Sequence, residues 1–212
     1  MVNIKTLALV LSIIAPIFYI LGYLPGLKAF IKEKTDKGVG NYFWEFIVLS
    51  VGISFLTLIV TSGNLFNLVV VGINLLFAIL MLTWKNSISH GVLIGTGFTV
   101  VFLVFGTLVY LFLGIPISVL QTVATVSIIL AYVNQITHFI LFKTAKGVSK
   151  NMYLVIGLGI LLLLISMIIN GVYLHVLITE LVNLILIGIC YVLTIFYARN
   201  DRKNGTQKVR ET

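Results

Sequence analysis

Hydrophobic positions along this chain fall in long unbroken runs, without the strict alternation of strands or the one-sided stripe of soluble helices. The runs cover about 4 to 27, 42 to 62, 64 to 84, 89 to 112, 117 to 142, 151 to 171 and 173 to 198. Each is about 20 residues or longer, enough to cross roughly 30 Å of hydrocarbon as a helix. Seven transmembrane helices are predicted. The first run continues through Tyr23 and Pro25 without a small-residue cleavage site, so it is expected to remain as a helix and not to be a cleaved leader. Short turns are expected at Ser62-Gly63-Asn64, at residues 113–116 and at Asn170-Gly171-Val172.

The polar positions carry a second pattern. Residues 21–40, LGYLPGLKAFIKEKTDKGVG, recur at 130–149 as LAYVNQITHFILFKTAKGVS, in register at an offset of 109. Tyr23/Tyr132, Lys34/Lys143, Thr35/Thr144, Lys37/Lys146 and Gly38/Gly147 are among the identical pairs. Polar loop residues match as well as apolar ones, so shared greasiness does not explain the repeat. At this offset the first three runs map onto the last three, and the fourth has no counterpart. A unit with an odd number of helices needs one extra crossing if its second copy is to point the same way. The expected architecture is therefore an all-α membrane protein with a 3+1+3 parallel tandem repeat. Its first unit is 1–86, its linker helix 87–114 and its second unit 115–198, followed by a charged tail at 199–212 that is predicted to be disordered. Gly91, Gly95, Gly97 and Gly106 suit the linker to close helix contact.

Composition places the chain in the membrane: 60% of residues are hydrophobic and 9% charged, with a mean hydropathy of +1.17, against about 25% charged in soluble domains. The net charge of +8 is topological. Of the fourteen lysines and arginines, all but Lys5 fall on one side of a seven-helix threading. The excess of positive residues on cytoplasmic loops then predicts an outer N-terminus and a cytoplasmic C-terminus, in the plasma membrane, and argues against nucleic acid as a partner. Cys190 stands alone, and His90, His138 and His175 lie on different runs without metal-ligand spacing. No nucleophile and base, metal set or cofactor loop is legible, so neither an enzyme nor a bound cofactor is expected.

A tandem three-helix unit with a Pro-Gln-like step near the end of its first helix, then a Lys-rich loop ending Lys-Gly-Val, resembles the PQ-loop superfamily. The seven-helix SWEET sugar transporters look closest, and the likeness extends over residues 4–198. It implies two halves, each with helix order 1-3-2, that rock about a central site and expose it alternately to either side. The steps here are Pro25-Gly26 and Asn134-Gln135, so proline survives only in the first copy and glutamine only in the second. With Tyr23 and Tyr132, these residues are the expected inner gate.

Asn74-Leu75 and Asn183-Leu184 are related by the same offset, and counting residues puts both amides about 15 Å deep, near the midplane. A carboxamide both donates and accepts, which suits a neutral polyhydroxylated solute; in SWEET proteins an asparagine pair in these helices lines the sugar site. Ser54, Phe55, Thr57 and Ser166 are further candidate liners, with Phe18 and Tyr19 beside them. Trp44 and Trp84 are expected in the interfacial aromatic belt, and Glu45 is expected to cap a helix N-terminus. Glu180 lies three residues before Asn183, so the two share a helix face. A carboxylate at that depth must be protonated, paired or wet, making Glu180 a candidate proton or charge site, with His175 above it. The leading functional expectation is transport of a small polar solute, a sugar foremost, by alternating access. A proton-coupled carrier of an amino acid or vitamin-like solute, and a membrane cargo receptor, are the alternatives. The expected partners are that solute and the lipid bilayer, with homo-oligomerisation left open.

Overall fold

The computed structural model describes the backbone of residues 4–60, 65–91, 97, 100, 116–171 and 174–210. Its elements are the helices α1 (Ile4–Glu33), α2 (Phe43–Val60), α3 (Leu65–His90), α4 (Ile117–Phe142), α5 (Lys150–Ile169) and α6 (Leu174–Arg210). All six are long and apolar enough to cross a membrane, and the chain is an integral membrane protein. Most of the expected fourth run (92–96, 98–99 and 101–112) and the turns at 62–64 and 113–115 lie outside the described residues, so α4, α5 and α6 correspond to the fifth, sixth and seventh runs.

The helices are apolar on their outer faces, where Leu24, Ile31, Val133, Ile140, Val192 and Phe196 stand exposed. Lipid is as apolar as leucine, so burial of such residues gives the helices no reason to associate, and close packing of small residues takes over. On α1 the buried residues Ala8, Ala15 and Gly22 recur every seventh position and face α5. A Cβ on Gly22 would lie 2.4 Å from Ile156 Cγ1, and one on Gly159 would lie 3.1 Å from the Ala15 carbonyl oxygen. The Ser166 hydroxyl donates to the Ala8 carbonyl at 2.8 Å. The same device joins α2 to α4, where the Ser50 hydroxyl donates to the Ala124 carbonyl at 2.8 Å. Within each group of three, α3 packs against both α1 and α2, and α6 against both α4 and α5.

Two loops close one end of the bundle. Lys34 and Lys143, at the ends of α1 and α4, both adopt left-handed backbone, with φ of 48° and 53°. Their N–H groups donate to Phe30 O at 2.9 Å and Phe139 O at 3.0 Å, and further on Val39 N donates to Asp36 O and Val148 N to Ala145 O. Each bond has its counterpart 109 residues on. The loops press on one another: Gly38 N donates to Lys146 O at 2.8 Å. At Gly147, with φ +82°, a Cβ would stand 2.0 Å from the Thr35 carbonyl oxygen.

Several helix ends differ from the sequence expectation. Rather than stopping at 84, α3 continues to His90, with the Ser87 and Ser89 hydroxyls returned to the Thr83 and Lys85 carbonyls, and ends where the first glycine, Gly91 at φ +85°, comes. His90 thus ends α3 and does not open the next helix. Lys85, expected in a connection, lies in α3, buried in an ion pair with Glu45 at 2.8 Å and a bond to the Asn41 carbonyl. Glu45 therefore acts through Lys85 as well as through its place in the first turn of α2. Where a disordered tail was expected from Arg199, α6 is helical through Arg210. Asp201 anchors its start by accepting from Ala145 N at 2.9 Å and from the Thr144 hydroxyl at 3.0 Å.

Candidate functional site

At the end of the bundle opposite the lysine loops, the two groups of helices part around a cavity of about 900 Å³, within the usual range for small-molecule sites. Its walls come from the first half of α1 (Ser12, Pro16, Tyr19), the middle and second half of α2 (Ser50, Ser54, Leu58) and α3 near Asn74. From the other group come Gln121 and Thr125 of α4, Leu163 of α5, and Glu180 and Asn183 of α6. Pro16 has no N–H to return to the Ser12 carbonyl, which leaves a polar backbone group at the level of the cavity.

Below this cavity lies a smaller chamber of about 70 Å³, room for a few waters. Asn74 and Asn183 line both spaces and stand where one passes into the other. The described residues lining the chamber number fourteen, and these fall into seven pairs at the offset of 109: Tyr19/Ile128, Tyr23/Tyr132, Phe43/Met152, Trp44/Tyr153, Ile47/Ile156, Val51/Ile160 and Asn74/Asn183. Its floor is aromatic. Tyr23 and Trp44 have ring centroids 6.0 Å apart, Phe43 and Trp44 4.8 Å, and Phe43 and Tyr132 5.8 Å. Beneath the floor remains a crevice of about 10 Å³, at the lower limit for a single water.

The polar groups at the waist are under-used. The carboxamide oxygens of Asn74 and Asn183 and the indole N–H of Trp44 are buried without a hydrogen-bond partner. Such a group costs about 1–3 kcal/mol if left unmet, so three of them around one chamber mark a place where something else completes the bonding. Asn183 Nδ2 donates to Glu180 Oε2 at 3.5 Å, a long bond that holds the carboxylate beside the amide.

Of the sequence-derived residues, Asn74, Asn183, Ser54 and Glu180 meet at the cavity. Phe55, Thr57 and Ser166 do not. Phe55 packs over Gly72, where an added Cβ would lie 3.1 Å from its ring. Ser166 serves the α1–α5 contact, and Thr57, at the matching position of α2, is likewise buried outside the cavity. Phe18 faces Gly159 of α5. The side chain of His175 lies outside the described residues. Tyr23 and Tyr132 are buried in the chamber wall. Gln135, fully buried, accepts from Gly40 N and donates to Gly38 O, both at 2.8 Å. Asn134 accepts from Tyr42 N at 3.1 Å. These two amides tie α4 to the first loop across the closed end. Pro25 lines neither space, and α1 runs through it without a break.

Trp44 requires a correction. It was expected in the interfacial belt, yet it is 2% exposed and its ring forms part of the chamber floor, whereas Trp84, at 41%, faces outward. The first loop tucks under α4 through Gln135 and so draws the first turn of α2 inside. The repeat held the missed signal, because Trp44 aligns with Tyr153 and a matched pair of large aromatics belongs to the shared interior. Ser12/Gln121 and Pro16/Thr125 are cavity pairs at the same offset that sequence reasoning also passed over.

No family model, curated protein or solved structure matches this chain.

Proposed function

We propose that this protein is a transporter that moves a small polar solute, a sugar foremost, across the membrane by alternating access. The observation that carries the reading is the chamber whose described lining residues all pair at an offset of 109. Two equivalent halves meet there, with the Asn74 and Asn183 oxygens unpartnered at the junction. A polyhydroxylated solute supplies the donors those oxygens lack and accepts from the Trp44 N–H. The architecture we assign is the seven-helix 3+1+3 parallel repeat, with the fourth run as linker and SWEET-like helix order in each half. The lysine loops lie on the cytoplasmic side of the plasma membrane, so this conformation is open outward and closed inward. Rocking of the halves would part the loops at Gly38 and Gly147, break the Gln135 clamp, and close the outer cavity.

Counterflow of labelled mono- and disaccharides in proteoliposomes tests the reading. Exchange is expected for at least one sugar and is expected to fall at least about tenfold in Asn74→Ala and Asn183→Ala, each of which removes a hydrogen-bonding amide from the waist. No exchange across the panel removes the sugar assignment.

A second reading has its own observation: Glu180 lines the cavity beside Asn183. A carboxylate there suits a proton-coupled carrier of an amino acid or vitamin-like solute. Dependence of uptake on an imposed pH gradient, abolished in Glu180→Gln, would favour it over a facilitator.

A further inference from the structure

The larger cavity lacks the symmetry of the chamber beneath it, and the asymmetry is electrostatic. At the position of Glu180 in the first half stands Val71, and both line the cavity. One wall therefore carries a carboxylate and the facing wall a hydrocarbon side chain. No lysine, arginine or histidine is among the described residues lining the space. The Lys85–Glu45 ion pair lies at the other end of the bundle. The bond that Glu180 makes is the long one from Asn183 Nδ2. Just below, the Asn74 and Asn183 oxygens add two acceptors without donors. Among the described residues, the inner part of the site thus offers three acceptor groups, one of them a carboxylate, and no lysine, arginine or histidine. A wholly neutral sugar can bring hydroxyl donors to all three but leaves the charge of the carboxylate unmatched. A solute with an ammonium group beside its hydroxyls meets all three.

We propose that the cavity selects an amine-bearing polyhydroxylated solute, an amino sugar or amino polyol, with its ammonium on Glu180 and its hydroxyls on Asn74 and Asn183. The inference rests on the transport reading above and narrows its substrate class. Because Glu180 belongs to one half alone, the bound solute has a single preferred orientation, with its amine toward α6. An acetylated amine, neutral and bulkier, loses the contact.

The test is counterflow in proteoliposomes with labelled glucose and labelled glucosamine at about pH 6.5, where an amine on a sugar ring carries its proton. N-acetylglucosamine serves as the neutral competitor with the same ring. Glucosamine is expected to exchange at about tenfold lower concentration than glucose or N-acetylglucosamine, the advantage of one charge-assisted hydrogen bond over a neutral one. That advantage is expected to vanish in Glu180→Gln and to survive in part in Glu180→Asp. Neutral sugars exchanging as well as glucosamine, or a preference retained in Glu180→Gln, would overturn the inference and leave the transport reading standing. Glucosamine exchange without glucose exchange would support the inference and end the neutral-sugar assignment. Exchange of neither would end both. The comparison among solutes on the unaltered protein needs no variant to fold.

Discussion

Asn183 divides its amide between two tasks. Its Nδ2 holds Glu180, and its Oδ1 points into the chamber unmet. Asn74, at the matching position, faces Val71 where Asn183 has Glu180, so the two asparagines are equivalent by repeat and unequal in surroundings. Trp44 allows a sharper test. Trp44→Phe keeps an aromatic ring against Tyr23 and Phe43 but removes an N–H that has no protein partner. Losing an unsatisfied donor costs no hydrogen bond. The thermal midpoint without solute is therefore expected to fall only by the cost of the cavity the smaller ring leaves, while the stabilisation conferred by saturating solute also falls; an unchanged stabilisation by solute would show that the N–H does not meet it. The candidate liners divide in a way residue type did not reveal: Ser54 reaches the cavity, and Thr57, one turn on, does not. Both are small hydroxyl residues on one helix, and about 60° of rotation around its axis together with a step of about 4.5 Å along it takes Thr57 out of the cavity wall.

At the scale of elements, the closed end depends on two loops that each need the other. Gln135→Ala leaves Gly40 N–H and Gly38 C=O unpaired in a buried place, at about 1–3 kcal/mol for each group. A lower thermal midpoint and faster modification of cysteines placed in the chamber are expected. Gly147→Ala adds a Cβ 2.0 Å from a backbone oxygen at φ +82°, whereas Gly171→Ala, at φ +66°, meets nothing within 4 Å. The first is expected to destabilise well beyond the second, whose cost is the left-handed backbone alone, about 1 kcal/mol; equal midpoints for the two would contradict the loop-to-loop contact. Helix cores were readable from hydrophobicity, and the paired loops from the repeated polar residues. Helix ends were not, because 85–90 and 199–210 are polar enough to read as loop. Backbone returns from Ser87 and Ser89 and the Asp201 anchor at Ala145 accompany their helical course.

For the whole molecule, the conformation makes a prediction about access. On the proposed outward-open reading, Ser54→Cys, in the open cavity, is expected to react with a membrane-impermeant thiol reagent added outside, and Tyr153→Cys, in the wall of the chamber, to be protected. Cys190 is fully buried, so its background reactivity is expected to be low. Equal rates at both positions would exclude a state open on one side only. Residue order along the chain determined the membrane character, the number of hydrocarbon-length runs and the pairing of positions at an offset of 109, because length, hydropathy and repetition are local or one-dimensional properties. Depth followed from them, since each residue advances a helix by a set rise. Only the tertiary structure decided direction: which side chains turn to the void, which lock helix to helix, and which meet lipid. That choice is made by the neighbouring helices, through the close approach of Ala15 and Gly159 and the tuck of the first loop beneath Gln135. It is why Trp44, at the start of α2, lies inside and Trp84, in the last two turns of α3, lies outside.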